Sequence, residues 1–220
     1  MPRVWYLASL AFLAASCGGL AGKSPTPLVT TGAETPVAAV EGLVEAIGDG
    51  NFAGAAGLAM PGQAAMASLA EGATFGEIAT ALRQGDEEVA ANFWSGFAQG
   101  AGSFLAGDVA VEEEGMVTDD GVEFHQVVVD PETGPDRTLL VREDDGYRVD
   151  LFASFGHGLA DRMTPAVERL LTAGTGDSRL ILDRLQDIVP SLLAAARLSS
   201  TTPEISQQLL ALIEVITRFG

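Results

Sequence analysis

Histidine is the residue type in this chain best suited to proton transfer, and the sequence contains two, His125 and His157. His125 shares one face of a predicted strand with Val127 and Val129, and Asp150 lies near the end of a later strand. A histidine that faces a carboxylate can act as a general base. One hypothesis is therefore an enzyme, of the isomerase or dehydratase kind, that uses His125 or Asp150. We favour an outward or hydrogen-bonded strand histidine and a protein that is not an enzyme.

Other patterns that could carry chemistry are weak. His157 lies between two glycines and is predicted to be a turn residue. Two histidines and one cysteine are too few nitrogen and sulfur ligands for a zinc site, and the run Glu112–Glu114 lacks the spacing of a calcium loop. No serine lies in a G-x-S-x-G turn, and no phosphate-binding or dinucleotide glycine pattern occurs. We therefore expect no catalytic residue, no metal and no cofactor.

Six aromatic residues are candidates for the lining of a ligand pocket, because small-molecule sites are mostly apolar. They are Phe93, Trp94, Phe97, Phe104, Phe124 and Phe152. The same side chains could simply fill the core, which we favour. The apolar stripe of residues 180–216 leaves two interpretations open, since it could bind a partner or pack on the sheet of its own chain.

The chain is strongly acidic, with 30 Asp and Glu residues against 12 Lys and Arg and a net charge of −18. Such a surface repels phosphate backbones and anionic lipid headgroups. We therefore expect no binding to nucleic acid. Since no cysteine follows Cys17, the folded body contains no intramolecular disulfide and depends on burial for its stability.

The periodicity changes twice along the body. Helical spacing of apolar residues predicts a first helix over residues 36–49, with Pro36 at its first position after Thr35. Further helices are predicted over residues 52–60, 63–70, 74–83 and 86–99. Alternating residues then predict strands over 104–113, 115–117, 122–129, 137–142 and 147–152. Two Asp-Asp-Gly turns, ending at Gly121 and Gly146, favour an antiparallel meander.

Three further helical segments are predicted after the sheet. The first begins at Thr164-Pro165 and the second at Asp177-Ser178. Pro190 removes a backbone donor and is predicted to kink or split that second segment. The last begins at Thr202-Pro203.

The N-terminus resembles that of a bacterial lipoprotein. Arg3 is followed by the apolar residues 4–16, too few for the ~20 that span a bilayer, and then by Cys17-Gly18-Gly19. The resemblance implies a signal peptide over 1–16, a thiol of Cys17 that receives a diacylglyceryl group, and a flexible tether over 17–35. Loss of Arg3 with the leader shifts the net charge from −18 to −19. The alternative is ordinary secretion, because Ala14-x-Ser16 suits a general signal peptidase and would leave Cys17 as a free thiol.

The order of the predicted elements is similar to that of NTF2-like domains, which are cone-shaped α+β folds. The resemblance depends on Gly146-Tyr147-Arg148-Val149-Asp150, which is typical of their last strand, and on a first helix that ends in Gly48-Asp49. It implies an α+β fold with N-terminal helices packed on a curved antiparallel meander. The domain would cover residues 36–158, followed by a C-terminal helical extension over 159–220.

These observations predict a lipid-anchored protein of the cell envelope. It would lie on the outer face of the cytoplasmic membrane, with the outer membrane as an alternative, and attach through Cys17. We expect a non-enzymatic binding or interaction module whose partner is an envelope protein or an apolar ligand. The alternative is a carrier of a lipid or other apolar small molecule in the cone cavity. The oligomeric state stays open.

Overall fold

The computed structural model describes residues 32–84, 87–100, 109–131, 135–198 and 202–218. The predicted leader, Cys17, the tether as far as residue 31 and Phe104 lie outside the described residues. Among the described residues, no helix combines the length and the apolar character needed to cross a membrane.

The chain forms helices, then a sheet, then helices. The N-terminal helices are α1 (Pro36–Gly48), α2 (Phe52–Leu58), α3 (Gln63–Ala67), α4 (Phe75–Gln84) and α5 (Glu87–Gly100). The strands are β1 (Val109–Asp119), β2 (Val122–Pro131), β3 (Arg137–Asp144) and β4 (Gly146–Val149). The C-terminal helices are α6 (Leu151–Ala173), α7 (Gly176–Asp187), α8 (Val189–Leu198) and α9 (Pro203–Thr217).

The predicted α+β class and the antiparallel meander are confirmed. The strands lie in the order β1-β2-β3-β4, and each pairs antiparallel with the next. The sheet is not strongly curled, whereas the NTF2-like resemblance implied a cone.

Local sequence signals place several of the boundaries. The Thr35 side chain accepts a hydrogen bond from the Ala38 amide at 3.1 Å, and Pro36 takes the first helical position. Thr202 and Pro203 begin α9 in the same way. Pro190 is the second residue of α8, two residues after Ile188, which caps the end of α7, so the predicted split is confirmed.

The region around Asp150 differs from the prediction. The sequence predicts a strand over 147–152 and a separate helix that begins at Thr164. In the structure the strand ends at Val149, and one continuous helix, α6, runs from Leu151 past Thr164. Asp150 caps α6 by accepting a hydrogen bond from the Ala153 amide at 3.0 Å. His157 accordingly lies within α6 and not in a turn. The predicted domain boundary at residue 158 falls inside the same helix.

Helices cover both faces of the sheet. On one face α1 contacts all four strands, and buried Val127, Val129 and Val141 belong to the main core. On the other face Phe124 and Leu140 pack against Ala153 of α6 and Ala194 of α8. Strand side chains alternate between faces. The strand residues named for the main core therefore have odd numbers, and those of the second cluster have even numbers. Of the C-terminal helices, α6 and α8 thus pack on the sheet, whereas α9 packs on α6 and α8, and α7 packs on α4 and α6. The apolar stripe of residues 180–216 therefore packs within its own chain, only partly on the sheet.

The outer edge of β4 is joined to the segment before α1. Ala33 pairs with Tyr147, and the Gly32 amide donates to the Asp145 carbonyl at 2.6 Å. Gly146 has a φ of +89°, and a Cβ on it would lie 2.8 Å from the carbonyl carbon of Gly32. Only a residue without a side chain fits this approach.

Candidate functional site

Asp150 lies in a fully buried polar cluster that joins four elements. Its Oδ1 accepts hydrogen bonds from Gln63 Nε2 of α3 and from the Ala153 amide, each at 3.0 Å. Its Oδ2 accepts from Ser191 Oγ of α8 at 2.7 Å, with Arg142 Nη1 of β3 more distant at 3.5 Å. A carboxylate held in this way has its acceptor positions occupied. The geometry is that of a structural junction.

His125 takes part in a different contact. Its Nδ1 lies 2.7 Å from Glu113 Oε1 on the neighbouring strand, and its ring packs edge-on against Tyr147 with centroids 5.2 Å apart. The hydrogen bonds of His125 and Asp150 thus go to different partners, and the structure does not join them into an acid–base pair.

The six aromatic candidates are distributed over several environments. Phe93, Trp94, Phe124 and Phe152 are buried, with Phe124 in the smaller cluster on the second face of the sheet. Phe93 and Phe97 line a cleft at the surface. Phe104 lies outside the described residues.

This cleft lies between α5 and α6 and has a volume of about 320 Å³. We call it the α5–α6 cleft. Its apolar floor is formed by Phe93 and Phe97 of α5 and by Phe155 and Leu159 of α6. The rings of Phe97 and Phe155 meet edge to face at 4.9 Å, and Trp94 packs behind Phe97 at 5.6 Å. Edge-to-face packing of this kind stabilises aromatic clusters beyond the burial of their area.

Glycines give the α5–α6 cleft its width. Gly96 and Gly100 of α5 and Gly158 of α6 line it. A Cβ on Gly158 would meet no heavy atom within 4 Å. A Cβ on Gly100 would also meet nothing, whereas a Cβ on Gly96 would contact the Glu71 carboxylate at 3.7 Å. The space above Gly100 and Gly158 is therefore open.

The polar wall of the cleft consists of Glu71, Arg137, His157 and Arg162. Arg162 Nη1 donates to Glu71 Oε1 at 2.7 Å, and half of the Arg162 side chain is exposed. Exposed ion pairs of this kind contribute only about 0–1 kcal/mol to stability. This pair shapes the mouth of the cleft more than it stabilises the fold.

His157 is the titratable residue of this wall. Its Nδ1 is buried and has no hydrogen-bond partner among the described residues. Burial lowers the pKa of His157 below its ordinary value of 6.5, and the positive charge of Arg137 lowers the pKa further. The imidazole is therefore neutral near pH 7 and offers one donor and one acceptor.

A second cleft of about 330 Å³, which we call the β3–α9 cleft, adjoins the first. Arg137, Phe155 and His157 line both clefts. Asp136 and Ile205 belong to the β3–α9 cleft only. Phe155 and His157 thus lie between the α5–α6 cleft and the β3–α9 cleft.

In the ranges that the structure describes, no three His, Cys, Asp or Glu side chains are grouped in a way that could hold a metal ion. The α5–α6 cleft combines an aromatic floor with a few polar groups, which is the usual composition of a small-molecule binding site.

Sequence reasoning found two members of this cleft, Phe93 and Phe97, and missed the rest. Phe155, Leu159 and Met163 follow one another at intervals of four residues, and Asp150 precedes them as a helix-capping residue. This helical pattern could have revealed α6. No local signal connects Glu71, Arg137 and Arg162, which come from three separate parts of the chain.

Known proteins offer no match. Comparison with protein families, with curated proteins and with solved structures finds none that matches this chain.

Proposed function

We propose that this chain is a non-enzymatic, lipid-anchored binding module of the cell envelope, and that the α5–α6 cleft is its ligand site. The observation that carries the binding role is the aromatic floor of Phe93, Phe97 and Phe155 beneath a polar wall. A volume of about 320 Å³ is at the lower end of the range for small-molecule sites. The ligand is accordingly a small molecule with one apolar chain or ring system.

The anchor in this proposal is Cys17, behind the apolar leader over residues 4–16. Two acyl chains at one residue suffice for stable membrane attachment. The acidic body would be held away from anionic headgroups by its charge. The protein would therefore act at the membrane surface, outside the cytoplasm.

A non-enzymatic role is supported by the surroundings of the two candidate catalytic residues. Asp150 is fully buried, and its carboxylate binds Gln63 and Ser191. His125 is engaged by Glu113. A general base must reach the proton that it removes, and neither side chain lies in the wall of the α5–α6 cleft.

The likeness to NTF2-like domains is also part of the proposal. Helices followed by an antiparallel meander that ends in β4 support it. The sheet is not strongly curled, and α6 follows the last strand directly. For this reason the proposal places the ligand between α5 and α6 and not in a cone.

A carrier is the second candidate function. The open mouth of the cleft, at the half-exposed side chain of Arg162, favours exchange of the ligand with the surroundings. Trp94, Phe124 and Phe152 are packed in the interior, so a carried molecule would lie in the α5–α6 cleft.

Native mass spectrometry of the full-length protein purified from its host tests the proposal. Gly158→Leu fills the cleft without backbone strain, since helical Leu is more favourable than Gly by roughly 1 kcal/mol. Gly76→Leu, at an exposed position of α4, is the matched control, because a Cβ there also meets no neighbour. We expect a small bound mass on the wild type and on Gly76→Leu, and its loss from Gly158→Leu. A bound mass that Gly158→Leu retains, or its absence from all three proteins, contradicts the proposed site.

A further inference from the structure

The β3–α9 cleft has an exposed, mostly polar rim and an apolar interior. Among the described residues of its lining, the exposed ones are Pro135, Asp136, Arg137, Thr138 and Thr202. The buried and half-buried ones are mostly apolar, namely Leu139, Leu140, Phe155, Leu198 and Ile205. Its volume of about 330 Å³ is close to the 320 Å³ of the α5–α6 cleft. Both clefts therefore offer an apolar interior of similar volume.

Ser154 is a buried polar residue of this lining, and its hydroxyl is already hydrogen-bonded to the backbone. The Leu140 amide donates to Ser154 Oγ at 2.9 Å, and Ser154 Oγ donates to the Leu140 carbonyl at 3.3 Å. A buried polar group without a partner would favour a polar group on the ligand. Because Ser154 is paired with Leu140, the interior of the β3–α9 cleft favours an apolar occupant.

We propose that the two clefts form one site for a long unbranched apolar chain, which passes between them at Phe155 and His157. This inference rests on the proposed binding function and adds the chemical class of the ligand. A chain that occupies both clefts buries more apolar area than a chain confined to the α5–α6 cleft, and its affinity rises with the area removed from water.

The passage between the clefts is bounded by side chains of α6. Phe155 and His157 line both clefts, and both are half-buried. Nδ1 of His157 is buried and has no hydrogen-bond partner among the described residues. A rotation of the imidazole therefore breaks no hydrogen bond at this atom, and contact with water would remove the cost of leaving it unpaired. An unbranched chain is narrow and flexible enough to follow such a passage, whereas a ring system would remain in one cleft.

The test is a chain-length series of uncharged probes, namely octyl, decyl, dodecyl and tetradecyl maltoside, each below the concentration at which it forms micelles. Calorimetric titration measures their affinity for the full chain carrying Cys17→Ala, so that no acyl group at residue 17 competes with the probe. We expect the affinity to rise roughly four-fold with each added methylene as far as tetradecyl maltoside, because each methylene enters an apolar interior.

A side chain that fills the β3–α9 cleft should shorten the chain that the protein accommodates. Ile205→Trp fills this cleft from α9, and Leu210→Trp is the matched control, at a half-exposed position of the same helix outside both clefts. With Ile205→Trp the rise in affinity should stop at a shorter probe, while octyl maltoside still binds with its original affinity. With Leu210→Trp the whole series should bind as before.

The other outcomes separate the inference from the binding function. If the rise stops at the same probe with and without Ile205→Trp, or continues equally in both, the β3–α9 cleft is not part of the site and the inference is wrong, whereas the binding function stands. Loss of octyl maltoside binding from folded Ile205→Trp also overturns the inference. If no maltoside binds before any cleft is filled, the binding function is contradicted as well.

A second variant covers the case in which Ile205→Trp does not fold. Thr138→Trp fills the same cleft from an exposed position of β3, where an aromatic residue suits a strand. We expect it to stop the rise in affinity at a shorter probe as well. A rise that continues unchanged to tetradecyl maltoside in Thr138→Trp would overturn the inference.

Discussion

Gln63 Nε2 donates a hydrogen bond of 3.0 Å to Asp150 Oδ1, joining residues 87 positions apart in the chain. In return the Leu151 amide donates to Gln63 Oε1 at 2.6 Å. Ser191 completes the cluster from α8. This junction ties the N-terminal helices, the start of α6 and the C-terminal helices at one buried point.

Asp150→Ala is expected to lower the free energy of unfolding by about 3 kcal/mol. The helix loses its N-cap, at about 1 kcal/mol, and the buried partners Gln63 and Ser191 lose an acceptor, at about 1–3 kcal/mol. Urea denaturation measures the change, with Asp183→Ala at an exposed position of α7 as the control. A loss no larger than that of the control would show that the cluster is not a stabilising junction.

The stability of the protein is expected to depend on pH through His157. Its pKa is lowered in the folded state, so the unfolded chain binds more protons between the two pKa values. The contribution of His157 to the free energy of unfolding is fully present above its ordinary pKa of 6.5. It is lost as the pH falls through the lowered pKa of the folded state.

His157→Gln should therefore reduce the loss of stability between about pH 8 and about pH 5, the range in which histidines titrate. Denaturant unfolding at several pH values measures it. His125→Gln, which leaves His157 in place, should retain the contribution of His157. If the free energy of unfolding depends on pH identically in the wild type and in His157→Gln, His157 does not cause the pH dependence.

Gly146→Ala is expected to destabilise the protein more than Gly121→Ala. Both glycines have positive φ, +89° and +78°, so both substitutions introduce backbone strain of roughly 1–3 kcal/mol. Only at Gly146 does the new Cβ also collide with the backbone of Gly32. Hydrogen exchange at the paired amides of Ala33 and Tyr147 should accelerate in Gly146→Ala alone. Equal effects of the two substitutions would mean that the Gly32 contact does not matter.

Cys17→Ala is expected to move the protein from the detergent phase to the aqueous phase, because the lipid attachment site is lost. Phase partitioning of cell extracts and incorporation of labelled fatty acid measure this change. Ser24→Ala, in the predicted tether, is the control. Partitioning of Cys17→Ala into detergent would rule out the lipid anchor.

Local chemistry made the order and type of most elements predictable. Thr35-Pro36 and Thr202-Pro203 are helix starts because a threonine side chain and the fixed φ of proline act within one turn. Pro190 divides α7 from α8 for the same local reason. Asp120 and Gly121 take the positive φ that their turn requires.

Long-range contacts decided what the sequence left open. Leu151 and Phe152 continue an alternating pattern, yet they begin a helix because Gln63 and Ser191 hold Asp150 at its cap. The α5–α6 cleft likewise combines distant parts of the chain, because Glu71 from the segment before α4 and Arg137 of β3 line it together with residues of α5 and α6. Capping and turn formation act over a few residues and can be read from the chain, whereas the neighbours of a side chain across the fold are set only when the helices and the sheet pack.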